Sequence, residues 1–385
     1  MRNSNMGVFY RNTEGWIGGT YYIENLISAL LLLPDDEKPY ITVLCSTQKE
    51  YSRIEAIGYP YLSKKIFEFP AKKNSLVQKV IRKISSMTGI TVNSKLSLDI
   101  PLSKVEYFFP SPASLKSQQG QKRIFWIPDF QELYYPNFFS PYEVKERIRG
   151  HKLIAKSGEK VIFSSHDVLK DFKKFYPQQN CTTFVIKFAV THPPLGNSSI
   201  DELKKKYGIR GNYFMAPNQF WAHKNHDVII DAAKMLLDNN QLDITIAFTG
   251  KEEDYRNPDY AKNLKKKVAN LGLDASIKFL GFIDRADQLN LMKHAISVIQ
   301  PSLFEGWSTV VEDTKALNQH IIASDLDVHK EQLVAYPHLM FARNDGKELA
   351  EKILEMRSFS SQHINYDYNL DRKKFAQEFK TNLLN

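Results

Sequence analysis

Residues 297–317, SVIQPSLFEGWSTVVEDTKAL, contain the change from strand to helix on which the prediction of the fold depends. The run SVIQ is typical of a buried strand, Glu305 and Gly306 lie in the loop after it, and a helical pattern begins near Ser308. In an open parallel sheet, ligands bind beyond the carboxyl ends of the strands. A helix that begins there offers free N–H groups to an anion. The stretch therefore predicts a ligand site at this strand end.

The carboxylate of Glu305 in the same loop indicates what kind of ligand would bind. A carboxylate repels phosphate, but it accepts hydrogen bonds from hydroxyl groups. Phosphate donors and a hydroxyl acceptor in one loop suit a nucleotide sugar. In the alternative interpretation, Glu305 only caps the helix, and Glu312 or Asp313 faces water. The spacing alone leaves both interpretations open.

The sequence on both sides of this stretch alternates between short β-branched runs and helical patterns. Such alternation predicts a parallel sheet with helices on both faces. Asp284 stands where it can cap one of these helices, and Leu289 and Met292 follow at helical spacing. Strands are predicted at 213–216, 244–249, 277–280, 297–300, 320–323 and 339–342, and helices at 227–237, 260–271, 284–295, 309–317 and 347–356.

The first half of the chain alternates less clearly, although it has the same character. Its pattern predicts a second α/β domain, and residues 51–101 receive no assignment. The proline-containing segment 191–197 (THPPLGN) marks the boundary, so we expect domains at 1–190 and 191–360 and a last helix within 361–385. Strands are predicted at 6–10, 40–45, 105–109, 123–127 and 161–164, with a helix at 20–33.

Three further segments follow predicted strands and contain candidate binding residues. Lys224, in 215–227 (MAPNQFWAHKNHD), is a point charge suited to a phosphate, or alternatively a solvated lysine in a turn. Gly18 and Gly19 in 14–20 (EGWIGGT) permit a close backbone approach to an anion, or simply form a tight turn. In 124–139 (IFWIPDFQELYYPNFF), Asp129 or Glu132 could orient a hydroxyl, whereas most of the aromatic residues suit a core.

Composition excludes several classes of protein. The chain has 385 residues and 44.5 kDa, with 17 glycines and 17 prolines, so collagen-like and low-complexity classes are excluded. No apolar run approaches the roughly 20 residues that span a bilayer, and no secretory signal is visible, so we expect a cytoplasmic protein. The two cysteines, Cys45 and Cys181, form neither a disulfide framework nor a metal set.

A net charge of +9 suggests an anionic partner. Residues 64–83 (KKIFEFPAKKNSLVQKVIRK) interleave basic and apolar side chains. This segment is either a solvated face or a patch that binds the anionic inner surface of a membrane. No nucleic-acid motif accompanies the charge, so no nucleic-acid partner is expected.

The stretch that begins at Glu305 resembles the signature of the family-four retaining glycosyltransferases, the glycosyl transferases group 1. That signature has two glutamates separated by seven residues around a Glu-Gly-aromatic loop. Glu305 matches the first glutamate, Asp313 stands at the second position, and Glu312 lies one position earlier. Lys224 matches the lysine of the family's diphosphate loop, where Gln219 replaces the usual arginine. Segments 14–20 and 124–139 are similar to the family's glycine-rich and acceptor-side loops.

The resemblance implies the GT-B fold, an α/β architecture in which two Rossmann-like domains with parallel sheets face each other across a cleft. It implies a retaining transferase without metal or cofactor, a nucleoside-diphosphate sugar held mainly by the second domain, and a glycan or lipid-linked acceptor entering from the first. Glu305, Lys224 and Asp129 would be catalytic, with the ribose held by Glu312 or Asp313. The implied donor site contains Gly18, Gly19, Asn218, Gln219, Lys224, Glu305, Gly306, Trp307, Ser308, Thr309, Glu312 and Asp313.

Two other functions fit the same residues. A sugar-nucleotide epimerase shares this fold and would convert the donor without an acceptor. A non-catalytic nucleotide-sugar-binding protein is the other alternative, because Gln219 and Asp313 depart from the family pattern. The tripeptide Asp325-Leu-Asp327 is interpreted as part of a loop, and His223 with His226 lack a third metal ligand nearby.

Overall fold

The computed structural model describes residues 4–12, 17–66, 104–115, 117–359 and 363–384. Residues 67–83, most of the predicted membrane patch, lie outside the described residues. The strands are β1 Asn5–Phe9, β2 Tyr40–Cys45, β3 Leu62–Ile66, β4 Tyr107–Phe109, β5 Lys122–Ile127, β6 Lys160–Phe163, β7 Thr182–Val185, β8 Tyr213–Ala216, β9 Thr245–Phe248, β10 Ile277–Phe279, β11 Val298–Gln300, β12 Ile321–Ser324 and β13 Leu339–Phe341.

The helices of the described residues, numbered in the same way, lie between these strands. They are α1 Ile17–Leu30, α2 Gln48–Glu55, α3 Gln131–Tyr134, α4 Pro141–Ala155, α5 His166–Phe175, α6 Ile200–Tyr207, α7 His226–Asp238, α8 Tyr260–Asn270, α9 Arg285–His294, α10 Thr309–Ala316, α11 Asp327–Leu333, α12 Gly346–Phe359 and α13 Tyr368–Leu383. None of them is both long enough and apolar enough to cross a membrane.

Strands β1 to β7 form one parallel sheet in the order β3-β2-β1-β4-β5-β6-β7. Gly7 of β1 pairs with Thr42 on one side and with Phe108 on the other. Strands β4 and β6 are almost completely buried, as expected for a parallel sheet covered on both faces. The predicted parallel α/β character of the first half is therefore confirmed.

Helices α4 and α5 were not predicted from the sequence. Only Ile154 and Ala155 of helix α4 are buried, so apolar periodicity is a weak signal for this helix. The signal that could have revealed it is its capping box, in which the Ser140 hydroxyl accepts from the Glu143 N–H and the Glu143 carboxylate accepts from the Ser140 N–H.

Strands β8 to β13 form a second parallel sheet in the order β10-β9-β8-β11-β12-β13. Every residue of β8, β9, β11 and β12 is buried, which confirms the buried strands predicted here. Asp284 caps α9 as predicted, because its carboxylate accepts hydrogen bonds from the N–H groups of Ala286 and Asp287.

The order of the second sheet determines where its loops meet. Strands β8 and β11 are neighbours, although β9 and β10 lie between them in the sequence. The strand order therefore reverses between β8 and β11, and a parallel sheet binds ligands at such a point. The loop 217–225 follows β8 and the loop 301–308 follows β11, so both open onto the same crevice.

The last helix, α13, packs against the first sheet's side of the molecule. The ring of Phe375 lies 5.9 Å from that of Tyr22, and the ring of Phe379 lies 5.0 Å from that of Phe109. At the start of α13, the Tyr368 hydroxyl accepts a hydrogen bond from the Val190 N–H at 2.8 Å. The two halves of the chain are therefore joined again beside the crevice.

Candidate functional site

A cavity of about 320 Å³ lies where the carboxyl edges of the two sheets face each other. Trp126 and Asp129 line it from the first half of the chain, and Lys224 and Glu305 line it from the second. Of the residues predicted for the site, Gly18, Asp129, Asn218, Gln219, Lys224, Glu305, Gly306, Trp307, Thr309 and Asp313 line the cavity, whereas Gly19, Ser308 and Glu312 do not.

Lys224 and Glu305 form an ion pair at the base of this cavity. Lys224 Nζ lies 2.5 Å from Glu305 Oε1, and both side chains are largely buried. The same Oε1 accepts hydrogen bonds from Ser302 Oγ at 2.7 Å and Gln300 Nε2 at 2.9 Å. The other oxygen, Oε2, accepts from no described residue, so it is available to a ligand in the cavity.

The helix start beside Glu305 is built as the sequence predicts. The Ser308 hydroxyl caps α10 by accepting from the Val311 N–H. The Ser308 N–H donates to Gln332 Oε1 at 2.9 Å. The N–H groups of Thr309 and Val310, which line the cavity, donate to no other group in the described part of the chain. They are therefore suited to an anion at a helix N-terminus.

Asp313 is the acidic residue of α10 that reaches the cavity. Its Oδ1 lies 2.5 Å from the Arg285 guanidinium and 2.9 Å from His192 Nε2. Burial alone would raise the pKa of Asp313, but Arg285 and His192 hold that pKa below its ordinary value. Asp313 is therefore a charged hydrogen-bond acceptor at the edge of the cavity.

Glu312 has a different environment, although it is the adjacent residue. Its side chain is buried outside the cavity, where it accepts hydrogen bonds from Tyr368 OH at 2.6 Å, Gln332 Nε2 at 3.0 Å and Lys315 Nζ at 3.3 Å. Burial raises the pKa of Glu312. These contacts connect α10 to the start of α13. Glu312 therefore takes part in the packing of these two helices.

Asp129 faces the cavity from the first half of the chain. Its carboxylate accepts from the Gln131 N–H at 3.0 Å, and burial raises the pKa of Asp129. Glu132, the other predicted candidate, is fully buried outside the cavity lining, 3.3 Å from His151 Nδ1 and 3.5 Å from Arg147. Of these two carboxylates, only that of Asp129 lines the cavity.

Gly306 lies against the loop that follows β5 in the first half of the chain. A Cβ atom at this position would lie 2.0 Å from the carbonyl oxygen of Pro128 and 3.0 Å from the Cβ of Asp129. No side chain fits between the two loops. The glycine therefore permits the two walls of the cavity to approach each other.

Several cavity residues were missed by the sequence reasoning. Arg285 supplies a guanidinium near the predicted ribose contact, and the only signal for it is its position directly after the helix cap Asp284. Arg256, paired with Asp254 at 2.8 Å, lies over the Trp221 ring at 4.7 Å. Its loop has no motif, so no signal in the sequence identifies it. Trp221 and Arg256 form a cation–aromatic wall of the cavity.

His223, in the loop after β8, and His226, the first residue of α7, are both buried. Burial lowers the pKa of His223 well below 6.5 and that of His226 to about 3, so both are neutral at pH 7. His226 stacks on Phe220 with ring centroids 4.6 Å apart. The described residues contain no group of three or more histidine, cysteine or acidic side chains that could hold a metal.

Part of the chain is similar to known proteins. A family model described as glycosyl transferases group 1 matches residues 199–369. Mannosylfructose-phosphate synthase from Agrobacterium fabrum is 21% identical over 188 residues, which cover 47% of this chain and 41% of that protein. The match thus spans less than half the length of this curated relative.

Solved structures extend the likeness to the whole chain. HepE from Anabaena, solved in complex with UDP-glucose, has a TM-score of 0.62 at 16% identity, covering 98% of this chain and 99% of that one. Sucrose-phosphate synthase from Thermosynechococcus elongatus has a TM-score of 0.63 at 13% identity, covering 100% and 95%. Together with the family match, these likenesses confirm the predicted GT-B fold.

Proposed function

We propose that this chain, which has the GT-B fold and matches the glycosyl transferases group 1 over residues 199–369, is a retaining enzyme of that family. It would transfer a sugar from a nucleoside-diphosphate sugar to a hydroxyl of a glycan or lipid-linked glycan in the cytoplasm. Domain 191–360 would bind the donor and domain 1–190 the acceptor. The observation that carries the proposal is the ion pair of Lys224 and Glu305 beside the free N–H groups of α10.

The donor diphosphate would lie against Lys224 and the N–H groups of Thr309 and Val310. These groups stabilise the negative charge that develops as the diphosphate leaves the anomeric carbon. Gln219, at the usual arginine position, lines the cavity but adds no charge. Lys224 is the side-chain cation that this proposal places against the diphosphate.

Hydroxyl groups of the donor would be held by two carboxylates. Glu305 lines the cavity, and its Oε2 would accept a hydrogen bond from a hydroxyl of the donor sugar. Asp313 would accept from the ribose, because it lines the cavity while Glu312 is engaged with Tyr368. This proposal assigns the second acidic role of the family signature to the residue with the shorter side chain.

The acceptor would enter between Asp129 and the wall of Trp221 and Arg256. Asp129 would orient the acceptor hydroxyl, and the indole face of Trp221 suits the apolar face of a sugar ring. Retention follows if the acceptor attacks from the face that the diphosphate leaves. The departing phosphate oxygen then takes the acceptor proton, so the reaction needs no protein base.

A panel of nucleotide sugars tests this function directly. Released nucleoside diphosphate is measured with and without glycan acceptors, and the anomeric configuration of the product is read by NMR. Transfer with retention supports the proposal. Conversion of the donor without acceptor would identify the epimerase, and binding without turnover would identify the non-catalytic protein.

Glu305→Gln is expected to lower turnover by up to about 10²-fold while nucleoside-diphosphate affinity changes little. Its proposed partner is a hydroxyl of the donor sugar, and the amide accepts that hydrogen bond less strongly in the transition state. Steady-state kinetics measure the turnover, and calorimetry measures the affinity for the nucleoside diphosphate. Unchanged turnover would contradict the role given to Glu305.

Lys224→Ala is expected to weaken binding of the nucleoside diphosphate by about 1.5–3 kcal/mol, the range for hydrogen bonds to charged groups. Binding of the free nucleoside should change much less, because the lysine acts on the phosphates. Calorimetry with both ligands makes the comparison. Equal losses for the two ligands would place Lys224 outside the diphosphate site.

A further inference from the structure

Gln300, the last residue of β11, is hydrogen-bonded to several parts of the donor site at once. It is fully buried. Its Nε2 lies 2.9 Å from Glu305 Oε1 and 3.0 Å from both Ser302 Oγ and Ser308 Oγ. Its Oε1 accepts from Asn218 Nδ2 at 2.9 Å. One amide therefore connects the β8 loop, the carboxylate loop and the cap of α10.

The chemistry of these partners determines the orientation of the amide. Rotating the amide by 180° would place its oxygen against the Glu305 carboxylate and its NH₂ against the NH₂ of Asn218. Both contacts are repulsive, and a buried polar group without a partner costs about 1–3 kcal/mol. The observed orientation, with NH₂ toward the carboxylate, is therefore strongly preferred.

We propose that Gln300 is a positioning residue for transfer, which holds Glu305 Oε1 so that Oε2 faces the donor sugar. This inference rests on the proposed function of Glu305. Gln300 itself is not among the residues that line the cavity, so it acts through Glu305.

The role becomes important when the donor binds. In the free protein, Lys224 also holds Glu305 Oε1, but a diphosphate attracts the lysine to itself. Gln300 and Ser302 then remain as neutral donors to the same oxygen. They keep the carboxylate in place without a formal positive charge that would compete for its acceptor capacity.

Gln300→Met tests the proposal by removing both polar groups at nearly constant length. We expect kcat for donor turnover to fall about 10-fold to 50-fold, while the affinity for UDP changes less than about threefold. The assay uses UDP-glucose, or the panel donor with the highest turnover together with its own nucleoside diphosphate. Gln319→Met is the matched control, because Gln319 is a buried amide of the same domain that donates only to backbone carbonyls.

A double-mutant cycle with Glu305→Gln separates positioning from a general structural effect. If Gln300 acts through Glu305, Gln300→Met should change turnover less than about threefold in the Glu305→Gln background. An equal loss in both backgrounds would overturn the inference. An unchanged rate for Glu305→Gln alone would instead contradict the proposed function, so the two failures are distinguishable.

Gln300→Glu provides a nearly isosteric second variant if the methionine variant does not fold. Its carboxylate would lie beside that of Glu305, and two such groups share a proton. We expect the acidic limb of the pH–rate profile to move upward by about one pH unit or more. A profile identical to that of the wild-type protein would overturn the inference, and thermal melting verifies that each variant is folded.

Discussion

Gly306→Ala should lower transfer by more than about 10²-fold while the affinity for nucleoside diphosphate stays nearly constant. The new Cβ would lie 2.0 Å from the carbonyl oxygen of Pro128, so the two loops must separate by about 1 Å or more. A displacement of this size at a reacting centre costs on the order of 10² in rate. The proposed donor contacts lie mainly on one side of the cleft, so they survive the separation.

Gly196→Ala is the matched control for this prediction. A Cβ at position 196 would meet the Cβ of Ala286 at 3.7 Å, an ordinary van der Waals distance. The turnover of the Gly196→Ala variant should therefore equal that of the wild-type protein. Steady-state kinetics measure transfer, and small-angle scattering measures the separation of the two domains. Full transfer by Gly306→Ala would show that the observed approach of the loops is unnecessary for the reaction.

His226→Leu should make the protein less sensitive to acid, by about 2 kcal/mol of unfolding free energy between pH 6.5 and 4.5. Burial lowers the pKa of His226 from 6.5 to about 3 in the folded protein. Below pH 6.5 the unfolded chain therefore binds a proton that the folded chain does not. The stability from neutral His226 is complete above pH 6.5 and is lost as the pH falls toward 3.

Urea unfolding at a series of pH values measures this difference between the variant and the wild-type protein. The comparison is needed because burial raises the pKa of Asp129 and Glu312, which changes stability in the opposite direction. The variant also loses its stacking on Phe220, so only the pH dependence is compared. His363→Asn, a histidine replacement at an exposed position, is the matched control. Parallel curves for His226→Leu and wild type would show that His226 is accessible to protons in the folded state.

The sequence by itself indicated the two parallel sheets and the strand ends at which the candidate cavity lies. Buried strands of the second half are almost uniformly apolar, and the helices between them have apolar residues at helical spacing, so both could be recognised locally. The site followed from topology, because loops after parallel strands meet at one edge of the sheet. Glu305, Lys224 and Gly306 could therefore be identified before their distances were known.

The tertiary structure alone decided which side chains enter the cavity. Consecutive residues of a helix point about 100° apart, so Glu312 and Asp313 cannot both face the cleft. Packing of α10 turns Asp313 toward Arg285 and Glu312 toward Tyr368, residues distant in the sequence. Sequence periodicity reports that a helix has a buried face, but the partner on each face depends on segments that meet only after the chain has folded.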